Sequence, residues 1–155
     1  MTKTINTREV VLDILMEVLE NNKYSHLILN QALKKYQYLD KQDRSFISRI
    51  SEGTIEQLLQ IDYIINQFSK LPVHKMKPVI RNILRMAVYE IKFMNSIPVS
   101  ASCNEAVKLA AKRSFGSLKG FVNGVLRNIS RNLLEIKYPD KNIDIVKYLS
   151  IRYSI

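Results

Sequence analysis

IPVSASCNEAVKLAAKRSFGSLKGFVNGVLRNISR, residues 97–131, encodes two helices in quick succession. In the second, Leu118, Phe121, Val122, Val125, Leu126, Ile129 and, just beyond, Leu133 recur at spacings of three and four, so they share one face. Lys119, Asn123, Arg127 and Arg131 recur every four residues. At about 100° per residue they fall within roughly 120° of the helical wheel. One side of this helix can enter a core while the other meets something anionic. In the preceding helix, Ser102 and Glu105 have capping-box spacing, with a start one turn earlier as the alternative; Gly116 ends it, and Ser117 can cap the next. Gly120 and Gly124, four apart, read as a place of close helix packing, with a backbone made accessible to a ligand as the alternative.

Helical periodicity extends outward from this stretch. Asn6 or Thr7 caps a first helix with Val11, Ile14, Leu15 and Val18 as its stripe, and Asn21-Asn22 ends it. Ser25 opens a second, with Ile28, Ala32, Leu33 and Tyr36 on one side. Asp40 caps a third reaching about Leu59, with Asp43 in its positive first turn. A fourth carries Ile61, Ile64, Ile65 and Phe68. Pro72 and Pro78 bracket a break over 69–78, and Pro78 suits the first turn of a helix to about Met94. That helix is expected to bury Ile80, Ile83, Leu84, Ala87 and Ile91. Its Lys77, Arg81, Arg85 and Lys92 lie within roughly 80° and form a second basic face. A weaker pattern over 143–153 closes the chain. No strand alternation is visible, so the fold class is all-α.

The 155 residues suit one domain with a sizeable core, and 46% apolar content excludes a disordered chain. The net charge is +10. From Lys75 to Arg131, eleven basic side chains, Lys108, Lys112 and Arg113 among them, face only Glu90 and Glu105. Clustered cations of this kind suit phosphate, because neutralising it releases counterions. Arg81, Arg85, Lys112, Lys119, Arg127 and Arg131 are therefore candidate nucleic-acid contacts, with Tyr89 and Phe121 close enough in sequence to stack on bases. Phe121 also belongs to the apolar stripe, where packing is its default role.

No catalytic constellation is present. There is no Gly-rich phosphate loop and no nucleotide-binding strand–loop–helix unit. Cys103 is the lone cysteine, which rules out an intrachain disulfide and a cysteine zinc site. It reads as a small packed side chain. His26 and His74 are too isolated for a metal site and read as surface residues. No apolar run approaches the ~20 residues of a membrane span, and MTKTINTREVV lacks a signal region. A cytoplasmic location without membrane partners is the expectation.

Ile97-Pro98, the run Asn104 to Ala110 (NEAVKLA) and the run Gly120 to Arg127 (GFVNGVLR) resemble the NusB-like family. Arg8-Glu9, Asp43-Arg44 with Phe46, Glu52-Gly53-Thr54 and LQIDYII around Asp62 resemble it in the same order. Two branches are similar: free transcription antitermination factors that bind boxA RNA with a small-subunit ribosomal protein, and the N-terminal domain of RsmB-type rRNA cytosine-C5 methyltransferases. Ile97-Pro98, Arg127 and the tail Tyr148–Ser154 resemble the second more closely.

The resemblance implies about seven helices in two packed sub-bundles and RNA binding. It implies a NusB-like domain over 1–136 and a helical segment over 137–155 leading toward a catalytic domain absent here. The parent enzyme would transfer a methyl group from S-adenosylmethionine to small-subunit rRNA, whereas this chain would hold no cofactor and no catalytic site. Its partners would be RNA, its own catalytic domain and, in the antitermination reading, a ribosomal protein. Carried over residue by residue, the RNA face includes Lys3 and Arg8 in the N-terminal arm, and Lys119 and Phe121 before Val122-Asn123-Gly124. Gly120 stands where the family's lysine is expected. A basic face docked on an acidic protein partner is the third reading.

Overall fold

A computed structural model describes residues 5–155, and Lys3 lies outside them. Among the described residues are eight α-helices and no strand. They are α1 (Thr7–Leu15), α2 (Ser25–Lys35), α3 (Lys41–Glu56), α4 (Leu58–Phe68), α5 (Pro78–Phe93), α6 (Val99–Lys112), α7 (Lys119–Arg131) and α8 (Ile145–Tyr153). Asn6 caps α1 by accepting from the Arg8 and Glu9 amides, and Asp40 caps α3 by accepting from the Asp43 amide at 2.8 Å. Pro78 occupies the first turn of α5, where no partner for its missing N–H is needed. Neither Ser102 nor Ser117 serves as a cap, and α6 takes the earlier of its two expected starts. α6 begins a turn early, at Val99 behind Pro98, so Ser102 sits inside the helix and its hydroxyl donates to Glu90 Oε1 at 3.1 Å. α7 follows a short 3-10 turn, Gly116–Leu118, and has no side-chain cap.

α1, α2 and α3 pack on one another, and α4, α6 and α7 gather around α5. α5 also touches α1 and α3, so it joins the two groups. Eleven of its sixteen residues are buried. A helix covered on every side belongs to a core rather than to a surface. The expected apolar stripes are inside: Ile14, Leu15, Ile61, Ile64, Ile65, Ile83, Leu84, Leu126 and Ile129 are all nearly inaccessible.

Burial corrects the expected basic face of α5 at Arg81 and Arg85, while Lys77 stays exposed and Lys92 partly so. Arg85 is only 8% exposed. Its guanidinium donates to both Asp62 oxygens, at 2.8 and 2.9 Å, and to Asn82 Oδ1 at 3.0 Å. Arg81 pairs with Glu20, which also accepts from Asn82 Nδ2 at 2.8 Å. A π-turn, Met16–Glu20, continues α1 and carries Glu20 into this network. Asn22 then turns the chain at φ 58°, a left-handed conformation that asparagine tolerates. Arg81 and Arg85 therefore tie α1 and α4 to α5.

The Arg81 guanidinium holds the Glu20 carboxyl below its ordinary value, with Asn82 assisting and burial opposing. A carboxylate whose folded pKa is depressed stabilises the fold above its unfolded value, about 4.3, and that stability is lost as pH falls through the folded pKa. Urea midpoints are expected to drop between pH 5 and pH 3. Glu20→Gln should lower stability at pH 7 and shrink that drop; an unchanged drop would show that Glu20 does not carry it.

The segment after α7 returns along α4. Lys137 exchanges two hydrogen bonds with the Gln67 side chain, each 3.0 Å. Gln60, 1% exposed, receives the Tyr138 hydroxyl at 2.7 Å and donates to the Arg152 carbonyl at 2.6 Å. The Gln60 backbone N–H, in the first turn of α4, donates to Ser154 Oγ at 3.0 Å. α8 thus supplies a cap to a helix far away in sequence. No helix among the described residues is long and apolar enough to cross a membrane.

Candidate nucleic-acid interface

α6 and α7 lie against each other, and α7 buries Val122, Val125, Leu126 and Ile129. Its opposite side is open. Lys119, Gly120, Asn123 and Arg127 of α7 line a shallow groove with Asn104 and Lys108 of α6. Lys119 and Arg131 are exposed and have no ion-pair or hydrogen-bond partner among the described residues. The Arg127 guanidinium contacts only amide oxygens, Asn123 Oδ1 at 3.3 Å and Asn104 Oδ1 at 3.4 Å. Lys108 has Glu105 at 3.5 Å but is 74% exposed, so water screens that pair. From Lys119 to Arg131 the cations span about 18 Å of helix axis, at 1.5 Å per residue.

The glycine pair is corrected here. A Cβ at Gly120 or Gly124 would meet nothing within 4 Å. Neither glycine is a close-packing position, so the accessible-backbone alternative holds; both leave α7 backbone uncovered, Gly120 on the groove side. Gly53, which the spacing did not single out, is the tight one, because a Cβ there would lie 2.1 Å from Tyr89 Cζ.

The other expected contacts divide by their partners. Arg8 grips the buried Glu90 with Nη2 at 2.6 Å and Nε at 3.2 Å, and its guanidinium lies 5.1 Å from the Phe46 ring centre. It is a packing residue rather than an open cation. Lys112 reaches Glu9 at 2.5 Å, and Arg113 reaches Asp13 at 2.7 Å and Glu9 at 3.3 Å, so the end of α6 is clamped to α1. The Lys112 hydrogen bond, foremost, keeps the Glu9 carboxyl below its ordinary value. Phe121 is half-buried against the core. Tyr89 is buried and stacks on Phe93 at 5.2 Å, which removes it as a platform for bases. Arg81 and Arg85 stand apart in their internal network. The structure therefore brings Lys119 and Arg127 into one groove with Lys108, places Arg131 one turn beyond, and leaves Arg8, Arg81 and Arg85 elsewhere.

Cys103 is wholly buried, and burial pushes its thiol up, which leaves it a poor nucleophile. His26 and His74 are both exposed. Among the described residues no group of three metal-ligating side chains is close enough to hold an ion.

The NusB family profile matches residues 5–131. The chain belongs to the NusB family. This NusB-family chain is 33% identical over 129 residues to the probable ribosomal RNA small subunit methyltransferase B of Bacillus subtilis, a match covering 83% of the chain and 28% of that protein. It thus spans less than a third of the methyltransferase relatives it matches. It is also 33% identical over 139 residues to the transcription antitermination protein NusB of Thermodesulfovibrio yellowstonii, covering 83% of the chain and 92% of that protein. Among solved structures, NusB of T. maritima superposes with a TM-score of 0.72 at 28% identity, covering 84% of this chain and 93% of that one. A complex of the antitermination factors NusB and NusE with double-stranded RNA superposes with a TM-score of 0.74 at 22% identity, covering 81% of this chain and 93% of that one. The all-helical NusB fold expected from the sequence is thereby shown.

Proposed function

We propose that this chain is the non-catalytic, RNA-binding N-terminal domain of an S-adenosylmethionine-dependent small-subunit rRNA cytosine-C5 methyltransferase. The observation that carries the RNA reading is the α6–α7 groove, where Lys119 and Arg127 have no carboxylate partner while Arg8, Lys112 and Arg113 are all paired. Cations without internal partners have free-energy gain left to realise on phosphate. The likeness to methyltransferase B proteins, together with Ile97-Pro98, Arg127 and the tail over 148–154, supports the parent. Methyl transfer and its cofactor belong to that parent. The chain's own role is to hold or orient RNA, with Asn104 and Asn123 fixing the Arg127 guanidinium.

A free antitermination factor binding boxA RNA is the second reading, supported by the near-complete coverage of NusB proteins. The test is titration of a labelled single-stranded rRNA fragment, and of boxA RNA, at two salt concentrations. Lys119→Ala with Arg127→Ala and Arg131→Ala should flatten the slope of log K against log salt by roughly 2, at about 0.7 per lost single-strand phosphate contact. Binding that is insensitive to both salt and the triple substitution would reject the RNA reading. Preference for boxA RNA over the rRNA fragment would favour the second reading.

A further inference from the structure

A second cationic site lies where α8 returns to the body of the protein. Lys92, near the end of α5, has its ammonium 5.5 Å from the Phe93 ring centre and 5.9 Å from that of Tyr138. Arg152, on α8, has its guanidinium 5.1 Å from the Tyr138 ring centre and 5.6 Å from that of Tyr153. Neither cation has a carboxylate within ion-pair distance among the described residues. Arg8, Arg81, Arg85 and Arg113, also partly buried, each have one, and only Arg127 of the groove shares the lack among partly buried cations with long-range contacts. Burial, and then the positive charge of Arg152, lower the Lys92 pKa, as expected of two like charges held together without a counter-ion. Tyr153 is 55% exposed, and Tyr138 is backed by Tyr63 in a stacked pair at 6.4 Å.

We propose that Lys92, Arg152, Tyr138 and Tyr153 form a contact for single-stranded RNA, additional to the α6–α7 groove, in which a phosphate sits at the two cations and a base stacks on the exposed Tyr153 ring. The cations supply the charge complement of a phosphate, and together with the ring they form the combination that binds unpaired strands. An acidic peptide would satisfy the cations but has no use for the exposed part of the Tyr153 ring. Lys137 and Lys147 in the same returning segment, both exposed, add to its positive potential. The inference rests on the RNA-binding reading but uses different residues, on α5 and α8 and in the loop before α8.

The test is a titration of the full chain with a labelled 12-nucleotide single-stranded RNA, comparing Lys92→Gln/Arg152→Gln, Tyr153→Ala and the triple α7 variant. The Arg152 change spares the main-chain bond to Gln60, and unchanged thermal unfolding would show that α8 stays docked. The charge variant should flatten the salt slope by roughly 0.7, the loss of one single-strand phosphate. Tyr153→Ala should weaken binding about fivefold or more. In a 4-thiouridine cross-linking experiment, the peptide containing Tyr138 or Tyr153 should be labelled. Wild-type affinity in both new variants with loss in the α7 variant would overturn this inference and leave the groove standing. Wild-type affinity in all three would overturn both. Equal competition by poly-glutamate of matched charge would assign the site to an acidic protein and overturn the RNA contact.

Discussion

Arg8→Leu is expected to destabilise the protein by about 3–5 kcal/mol, because it leaves a buried carboxylate without its partner. Glu90 is 1% exposed and accepts from Arg8 Nε and Nη2 and from the Ser102 hydroxyl. With Arg8 gone, Ser102 alone cannot offset the loss of water around that charge. The guanidinium also leaves the Phe46 ring. For a domain of this size, total stability is about 5–15 kcal/mol, so the midpoint of thermal unfolding should fall by roughly 10 °C. Arg8→Leu/Glu90→Leu removes both charges and should recover most of the loss, since an apolar pair of similar volume can replace a buried ion pair. Circular dichroism melts of the two single variants and the double variant give the coupling directly. A single-variant loss below about 1 kcal/mol would mean that water reaches Glu90. The same variant separates structure from recognition: any fall in RNA affinity should track the unfolded fraction and vanish at low temperature.

Gly53→Ala should cost about 1–3 kcal/mol through overpacking. The new methyl would lie 2.1 to 2.3 Å from Tyr89 Cζ, Cε2 and Oη, far inside van der Waals contact. Tyr89 has little room to retreat, being 9% exposed and stacked on Phe93, whose carbonyl accepts from Arg49. Tyr89→Leu shortens the obstructing side chain, so Gly53→Ala/Tyr89→Leu should be less destabilised than the two single changes summed. Additive urea-unfolding free energies would show that the ring is not what the methyl strikes.

The helices were legible because most of their signals are local. Asn6, Asp40 and Pro78 mark starts by chemistry that acts within one turn, and the three-and-four spacing of Val122, Val125, Leu126 and Ile129 survives into the core unchanged. The charged residues were harder to place, because a wheel shows which side chains share a direction and not what lies in that direction. On α7 the basic ladder faces the groove. On α5, Arg81 and Arg85 of a similar arrangement point into the molecule, where Glu20 and Asp62 await them from other elements. The π-turn that delivers Glu20 and the hub at Gln60 have no short-range signature, since a buried glutamine and an exposed one look alike in sequence. Gly120, Gly124 and Gly53 are also alike by residue type, and only the neighbours in space separate the open ones from the crowded one.

The hydroxyl that caps α4 lies 94 residues downstream of the amide it serves. At synthesis rates of 5–20 residues per second, that interval is roughly 5–20 s. Over that interval α5, α6 and α7 are made in turn, while the first turn of α4 still lacks this partner. Docking of the segment over 138–154 therefore acts as a closing step for the packing around α4. Until it docks, the Gln60 side chain and the Tyr63 ring face solvent or whatever chaperone is bound to the nascent protein.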